Sequence, residues 1–323
     1  MSNISGAGVP DPGASTAEGD WLPTVSVIVA TRDRPALLRR AIRSFQQQTY
    51  SNITEVIVVF DRSAVEPLDD IAAEGDLALR GIPNTRTPGL AGARNSGILQ
   101  ASGELIAFCD DDDEWVPSKL QRQVDLWKEQ PGAVGVGTGM VLKTHDGVRT
   151  RYAPPALDFD DFLRSRTFSI PSSGFLLRRD EFSHGVGLVD EALPGSYGED
   201  WDLLLRLTRN GQFINVTDPV VNVYWDRPSF FTSKWQGLID GLTYLIQKYP
   251  EFEREPRGLA RMASQVAFAH AAMGERQHAL AWARAALRRD ARQPRAWAAL
   301  AVASGLAPAE TLVRLANSRG RGL

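Results

Sequence analysis

With a single cysteine, Cys109, in 323 residues, the chain has no means of forming an internal disulfide. Its stability must come from a packed core, as expected in a reducing compartment. It also lacks any run of about 18 apolar residues, so no transmembrane helix is expected. Residues 1–22 have neither a basic start nor an apolar block. Rich in Gly, Ser, Ala and Pro, they are expected to form a disordered leader rather than a signal peptide. These absences make the cytoplasm the default location. Lysine is missing from residues 255–323, where eleven arginines face four acids, a balance of +7. The rest of the chain therefore carries −10 against a net charge of −3. Such a basic tail suits solvated helix faces first, and as the alternative the inner face of an anionic membrane or an acidic partner. Nucleic acid is not an expected partner, because no aromatic–basic interleaving accompanies the arginines. The four histidines, His145, His184, His270 and His278, show no metal-ligand spacing and are expected at the surface or in packing.

What is present reads as an ordinary globular chain, long enough for one large α/β domain and a smaller attachment. Short apolar runs alternate with amphipathic helices, which predicts a largely parallel sheet. Residues 25–30 are nearly unbroken Val and Ile, as in a strand covered on both faces. Pro35 suits the first turn of the next helix, whose Leu37, Leu38, Ala41, Ile42 and Phe45 share one face. Strands are predicted over 55–60 and 105–109, with a short helix over 93–101 between them. Pro117 is expected to open a helix with Leu120, Val124 and Trp127 inward. Beyond Pro131 the pattern predicts strands over 134–142 and 174–177, helices over 158–164 and 201–209, and strand-turn-strand material over 213–225. A clean stripe from Trp235 to Tyr249 predicts a helix that Pro250 ends, and the main domain is expected to span 23–250. Residues 251–323 read as an all-helical appendage packed on that domain or on a second subunit. Within it, 262–291 resembles one tetratricopeptide-type hairpin turning at Gly274, and Pro294 and Trp297 begin a second unit.

Acidic residues follow the apolar runs: Asp61, the series Asp110-Asp111-Asp112-Asp113, and later Glu199-Asp200. In an open α/β sheet the carboxyl ends of strands line the ligand crevice, so topology brings Asp61 and Asp110 to one rim. Four consecutive carboxylates raise one another's proton affinity unless a cation is present. Hard oxygen ligands suit Mg²⁺ or Mn²⁺, which can neutralise a leaving diphosphate. The bland alternative is a solvated loop, with Asp113 or Ser118 capping the next helix. Arg34 sits at a strand-to-helix junction, where a helix N-terminus already favours anions; Arg32 is a weaker candidate for the same task. Trp115, Trp201 and Trp225 offer faces on which a sugar ring can stack, with the core as the alternative place for Trp115 and Trp225.

Five segments in order resemble the family 2 glycosyltransferases, which have the GT-A fold. They are Val25-Ser-Val-Ile-Val-Ala-Thr-Arg-Asp-Arg-Pro35, Val58-Val-Phe-Asp61, Gly89-Leu-Ala-Gly-Ala-Arg-Asn-Ser-Gly97, Phe108-Cys-Asp-Asp-Asp-Asp-Glu-Trp115 and Gly198-Glu-Asp200. The resemblance covers about residues 24–230 and implies a metal-dependent, inverting enzyme with a nucleotide-sugar donor. It implies that Ala30 and Thr31 flank the nucleotide base, that Asp61 accepts from the base's imide N–H, and that Arg94 lies near base and diphosphate. Asp110 and Asp112 fit the family's DxD pattern, with Asp112 the leading ligand of Mn²⁺ or Mg²⁺ and Asp111 beside the donor's ribose or sugar. Asp200 matches the general base, with Glu199 and Trp201 beside it on the acceptor side. UDP-sugars are the favoured donors, with dTDP- and GDP-sugars open. The acceptor is left among glycans, lipid-linked glycans, natural-product scaffolds and protein side chains.

The chain departs from the family pattern in two places. Phe60-Asp61 stands where many relatives have two acids, and Arg227 where many have His. The Gln-x-x-Arg-Trp signature of processive synthases is absent, which implies addition of one sugar or a few. A nucleotidyltransferase needs a Gly-rich phosphate loop with lysine after the first strand, and Thr31-Arg-Asp-Arg-Pro35 is not one. Gly89-x-x-Gly92 lacks the preceding strand of a dinucleotide site. A haloacid-dehalogenase-type phosphatase needs a downstream lysine and a further acidic pair. The rival from another class is a catalytically silent sugar-nucleotide binder that uses the C-terminal helices as an interaction surface.

Overall fold

The computed structural model describes residues 21–145, 147–167, 169–225 and 235–318. Residues 1–20 of the expected leader, and Arg227, lie outside the described residues. In chain order the first elements are β1 (Val25–Thr31), α1 (Pro35–Gln46), β2 (Ile53–Phe60), α2 (Asp69–Ala72), β3 (Leu79–Pro83), α3 (Leu90–Gln100), β4 (Leu105–Asp110) and β5 (Glu114–Trp115). There follow α4 (Lys119–Glu129), β6 (Gly135–Thr144), β7 (Gly147–Arg151), β8 (Ala156–Leu157), α5 (Phe159–Arg164), β9 (Leu176–Arg178), α6 (Glu199–Leu207) and β10 (Phe213–Tyr224). The C-terminal part is helical: α7 (Trp235–Lys248), α8 (Pro256–Ala272), α9 (Arg276–Arg289), α10 (Pro294–Ala303) and α11 (Ala309–Ser318).

The strands form one sheet in the order β3-β2-β1-β4-β9-β6-β10-β5, with β7 on β6 and β8 on β10. Its first four strands are parallel, as are β6 and β10, while β9 enters antiparallel between β4 and β6. Each face of the sheet has its own apolar core. Val25, Val27 and Val29 pack with α1 and α4 residues on one side, and Ile28 packs with α3 and α6 residues on the other. That double burial explains why β1 reads as a continuous apolar run. The register decides where the polar ends meet: Ala30 pairs with Asp110 and Thr31 with Phe60. Thr31, Asp61 and the acidic run therefore share one rim.

Four local expectations are corrected. The helix expected to open at Pro117 begins at Lys119, and its N-cap Ser118 makes no side-chain cap bond. The helix expected over 93–101 starts at Leu90, after Gly89 turns the chain at φ +129°. The strand expected over 174–177 is a tight turn, Ser172–Gly174, followed by the three-residue β9. The strand-turn-strand expected over 213–225 is the single strand β10. It absorbs Asp218-Pro219 in an irregularity between Val216 and Val221, where proline's missing N–H breaks no ladder bond.

In the C-terminal helices, α8 and α9 form a hairpin turning at Gly274, whose φ of +80° favours glycine. One face of α8 (Leu259, Met262, Val266, Ala269) belongs to the core that also holds Trp201 and Phe252. Its other face (Ala263, Ala267, Ala271) packs with Ala279, Ala283 and Ala286 of α9 and with Ala296 and Ala299 of α10. Contact with α5 is intimate, since a Cβ on Gly258 would lie 1.9 Å from the carbonyl oxygen of Leu163. Among the described residues, no helix is long and apolar enough to cross a membrane.

Candidate active site

The rim at the end of β4 is organised by hydrogen bonds rather than by free carboxylates. Asp111 is buried, and its Oδ2 accepts from Thr31 Oγ1 at 2.7 Å while its Oδ1 accepts from Arg34 Nη1 at 3.1 Å. The same Nη1 reaches Asp112 Oδ2 at 3.0 Å, so one guanidinium holds two neighbouring acids. Burial pushes the Asp111 carboxyl up to about 6, with Asp112 adding to the rise and Thr31 and Arg34 opposing it. Burial and then Asp110 raise the Asp112 carboxyl as well. Burial is the first cause of both rises, and the neighbouring carboxylates add to it. Asp113 faces inward, accepting from Ser173 Oγ at 2.5 Å. The same Ser173 oxygen accepts the backbone N–H of Asp110 at 3.0 Å, and its carbonyl takes the indole N–H of Trp115 at 2.8 Å. Four consecutive aspartates thus occupy different environments.

Arg94 links this rim to the later acids. Its buried guanidinium donates to Asp110 Oδ1 at 2.9 Å, to Ser172 Oγ at 2.8 Å and to Glu199 Oε1 at 2.8 Å. Glu199 and Asp200 open α6 just after Gly198, which turns the chain at φ +95° and carries no side-chain cap. Gly198 is thus the N-cap of α6, and Asp200 takes the free N–H of Trp201 from within the first turn. Burial first, then Asp200, pushes the Glu199 carboxyl up to about 7, against the pull of Arg94 and Arg166. Asp200 lies the other way. Burial alone would raise it, but Arg166 and then Arg94 outweigh burial and hold it below the usual carboxylate range. Its Oδ1 accepts from Arg166 Nη2 and from the Trp201 N–H, both at 2.7 Å.

Asp61 stands at the same rim after β2, its Oδ1 accepting from Asn84 Nδ2 at 2.8 Å and from the Gly89 N–H at 3.0 Å. Both bonds use one oxygen, which leaves Oδ2 for an outside donor. Ala30 and Thr31 end β1 beside it. Trp201 is corrected as a stacking face: the indole is 4% exposed, donates to the Phe162 carbonyl at 2.9 Å and packs edge-on against Phe252. Trp115 is likewise buried, whereas Trp225 is exposed. Three contributors carry no sequence signal of their own. Arg166 and the pair Ser172-Ser173 lie in irregular chain, and Arg40 reads as one more cation on α1. Arg40 nonetheless donates to the Asp112 carbonyl at 2.6 Å, pairs with Glu114 and stacks on Tyr224.

The described histidines lie at the surface or in packing, but two of them come together although their spacing gives no sign of it. His270 and His278 meet Glu275 at the α8–α9 turn, with ligand atoms within 4.8 Å of one another, a group able to chelate a divalent cation. His270 is buried and its Nδ1 lies 2.6 Å from Glu275 Oε2. Imidazoles suit zinc, nickel or copper better than Mg²⁺ or Mn²⁺, which take oxygen ligands.

Residues 26–185 match the sequence profile described as Glycosyl transferase family 2. Similar curated proteins include a UDP-Glc:alpha-D-GlcNAc-diphosphoundecaprenol beta-1,3-glucosyltransferase of Escherichia coli, 28% identical over 58% of this chain and 71% of that protein. A second E. coli enzyme of the same description is 28% identical over 44% of this chain and 55% of its own length. The chain thus spans little more than half to about seven-tenths of these relatives. Among solved structures, S. aureus TarS 1-349 in complex with UDP-GlcNAc superposes with a TM-score of 0.59, 16% identity and 92% coverage of both chains. The mannosyltransferase PcManGT of Pyrobaculum calidifontis, in complex with GDP-Man and Mn²⁺, gives a TM-score of 0.53 and 18% identity over 91% of this chain and 84% of that one. At these identities the two superpositions speak to the fold.

Proposed function

We propose, from the premise that this chain is a glycosyltransferase of family 2, that it moves a sugar from a nucleotide-diphosphate-sugar to an acceptor hydroxyl with inversion, one addition at a time. The observation that carries the reading is the joined rim. Thr31, Arg34, Asp61 and the acidic run meet at the ends of parallel strands, and Arg94 ties Asp110 to the Glu199-Asp200 pair. A UDP-sugar is the favoured donor and a lipid-diphosphate-linked glycan the favoured acceptor, in keeping with the two E. coli relatives' names.

The rim fits Mn²⁺ or Mg²⁺. Its donor set is hard carboxylate oxygen, and a positive group, Arg34 Nη1, already stands between Asp111 and Asp112. Asp112 and Asp110, more than a third exposed, would hold the ion, with Asp111 toward the donor. When bound, such an ion neutralises charge developing on a leaving diphosphate. The remaining work belongs to side chains. Asp61 offers Oδ2 to an N–H of the base. Arg34 holds Asp111 and Asp112 in place and adds positive charge at the N-terminus of α1. Arg94 fixes Asp110 and Glu199 at one spacing. Asp200, ionised at neutral pH because of Arg166, accepts the proton of the acceptor hydroxyl as its oxygen bonds to the anomeric carbon and the diphosphate departs.

Thermal melting tests the donor half. UDP with Mn²⁺ is expected to stabilise the protein, by about 2.7 kcal/mol at a hundredfold excess over Kd. Asp112→Ala should abolish the shift, and a panel with dTDP and GDP reports the base. An unchanged shift in Asp112→Ala would remove this residue from metal binding.

A further inference from the structure

The turn between α8 and α9 gathers three side chains with metal-binding chemistry. His270 stands in the last turn of α8, Glu275 at the N-cap of α9, and His278 in the first turn of α9. Backbone geometry sets the meeting. Gly274 takes φ +80°, and the Glu275 N–H returns to the His270 carbonyl at 2.9 Å, so the chain doubles back onto its own histidine. His278 follows Glu275 by three residues and therefore shares its helix face. Glu275 Oε2 lies 2.6 Å from His270 Nδ1 and 3.6 Å from His278 Nδ1. The two rings stand 5.1 Å apart and 33° from parallel. Glu275 makes no side-chain cap bond to α9; its oxygen is turned to the two imidazoles instead. His270 is buried, whereas the His278 side chain is 70% exposed, which gives an ion access from solvent. Behind the turn the seam is largely alanine, Ala263, Ala267 and Ala271 against Ala279, Ala283 and Ala286. Side chains so small bury little apolar area each.

We propose that His270, Glu275 and His278 bind one divalent ion of the zinc class, with water as the fourth ligand, and that the ion clips α9 to α8. Two imidazole nitrogens and one carboxylate oxygen suit zinc, and not the Mg²⁺ or Mn²⁺ of the acidic rim. Ligand atoms about 2.0–2.2 Å from a tetrahedral ion stand about 3.4 Å apart. The ligand atoms here lie within 4.8 Å of one another, so the widest spacing has roughly 1.4 Å or less to close. Rotation of the exposed His278 supplies that movement while the turn holds His270 and Glu275. The one cysteine, Cys109, is buried and offers zinc no competing thiol. Bound at the turn, the ion ties residues of successive helices and adds stability where the alanine seam adds little. The proposal stands apart from the donor reading, since the end of β4 and the α8–α9 turn use different residues and different metals.

The test is calorimetric titration of Zn²⁺ into the full-length protein without an affinity tag, as wild type and as Asp112→Ala, in which the acidic rim no longer competes. Asp112→Ala protein is expected to bind one equivalent, and its melting temperature should rise as the site fills. Adding His278→Ala, a change at an exposed side chain, should weaken binding roughly tenfold or more, the least that losing even an outer partner of a metal ligand costs. Co²⁺ in place of Zn²⁺ should give the visible absorption of a four-coordinate ion, and His278→Ala should lose it. His278→Ala in the otherwise wild-type chain should keep its melting shift with UDP and Mn²⁺, which also reports that the variant folds. Zn²⁺ binding undiminished by His278→Ala would overturn the proposal. Zn²⁺ bound by wild type and lost in Asp112→Ala would assign zinc to the rim and overturn the hairpin site. Binding with no rise in melting temperature would overturn the clip. Absence of a UDP–Mn²⁺ shift in wild-type protein would instead count against the donor reading and leave the zinc site standing.

Discussion

Asp112 and Asp113 are adjacent, yet one is partly exposed beside Arg34 and the other buried on Ser173. Their substitutions should therefore diverge. Asp113→Asn keeps an acceptor for the Ser173 hydroxyl and is expected to cost about 1 kcal/mol while preserving the melting response to UDP and Mn²⁺. Asp112→Asn should fold normally and lose that response. Glu191 gives a pH prediction. Its carboxylate holds Arg86, the Thr87 N–H and Asn95. Burial opposes the charge, but Arg86, Asn95 and Thr87 overcome it and hold the carboxyl at about 2, against an ordinary 4.5. A depressed folded value means stability that is complete above about 4.5 and is lost as pH falls toward 2. Glu191→Gln should flatten that acid limb of the melting curve and lower the neutral-pH Tm by roughly 2 °C. Residue roles at the rim were legible where a strand end announces an acid. Arg166 was not, because nothing local in Ser165-Arg166-Thr167 marks a cation that folding delivers to Asp200.

The first half of the fold could be read directly, since β1, β2 and β4 are buried on both faces and their composition shows it. Periodicity failed where geometry depends on distant partners. β9 is three residues long, and only its place between β4 and β6 makes it a strand. β10 contains a proline that suggests a break, but pairing with β6 on both sides carries it through. Two glycines show how closely elements approach. A Cβ on Gly97 of α3 would lie 2.5 Å from Ile28 Cγ2, and one on Gly258 of α8 would lie 1.9 Å from the Leu163 carbonyl. The first contact can yield through side-chain movement, while the second meets backbone. Gly258→Ala should therefore destabilise more than Gly97→Ala, toward the upper end of the roughly 1–3 kcal/mol typical of overpacking, measured by urea unfolding.

For the molecule as a whole, a boundary after residue 250 is the natural place to divide the sequence, and packing across it is extensive. Leu259, Met262, Val266 and Ala269 share the core that lies under the sheet and holds Ile28, Trp201 and Phe252, each large side chain contributing about 1.5–3 kcal/mol on burial. A chain ending at residue 250 should consequently aggregate or melt far below wild type. One ending at residue 291, which keeps α8 and α9, should retain the fold. Intact folding of the shorter fragment, seen by near-UV circular dichroism, would contradict this packing account. Asp200, in the first turn of α6, lies between Arg166, which pairs with it, and Glu199, which Arg94 ties to the acidic rim. The most direct measurement of the account is therefore metal-dependent release of nucleoside diphosphate from the donor by wild-type and Asp200→Asn protein, with donor binding followed in parallel by melting. Asp200→Asn is expected to keep the full UDP–Mn²⁺ melting shift and lose roughly 10²–10⁴-fold in turnover; turnover equal to wild type would contradict it.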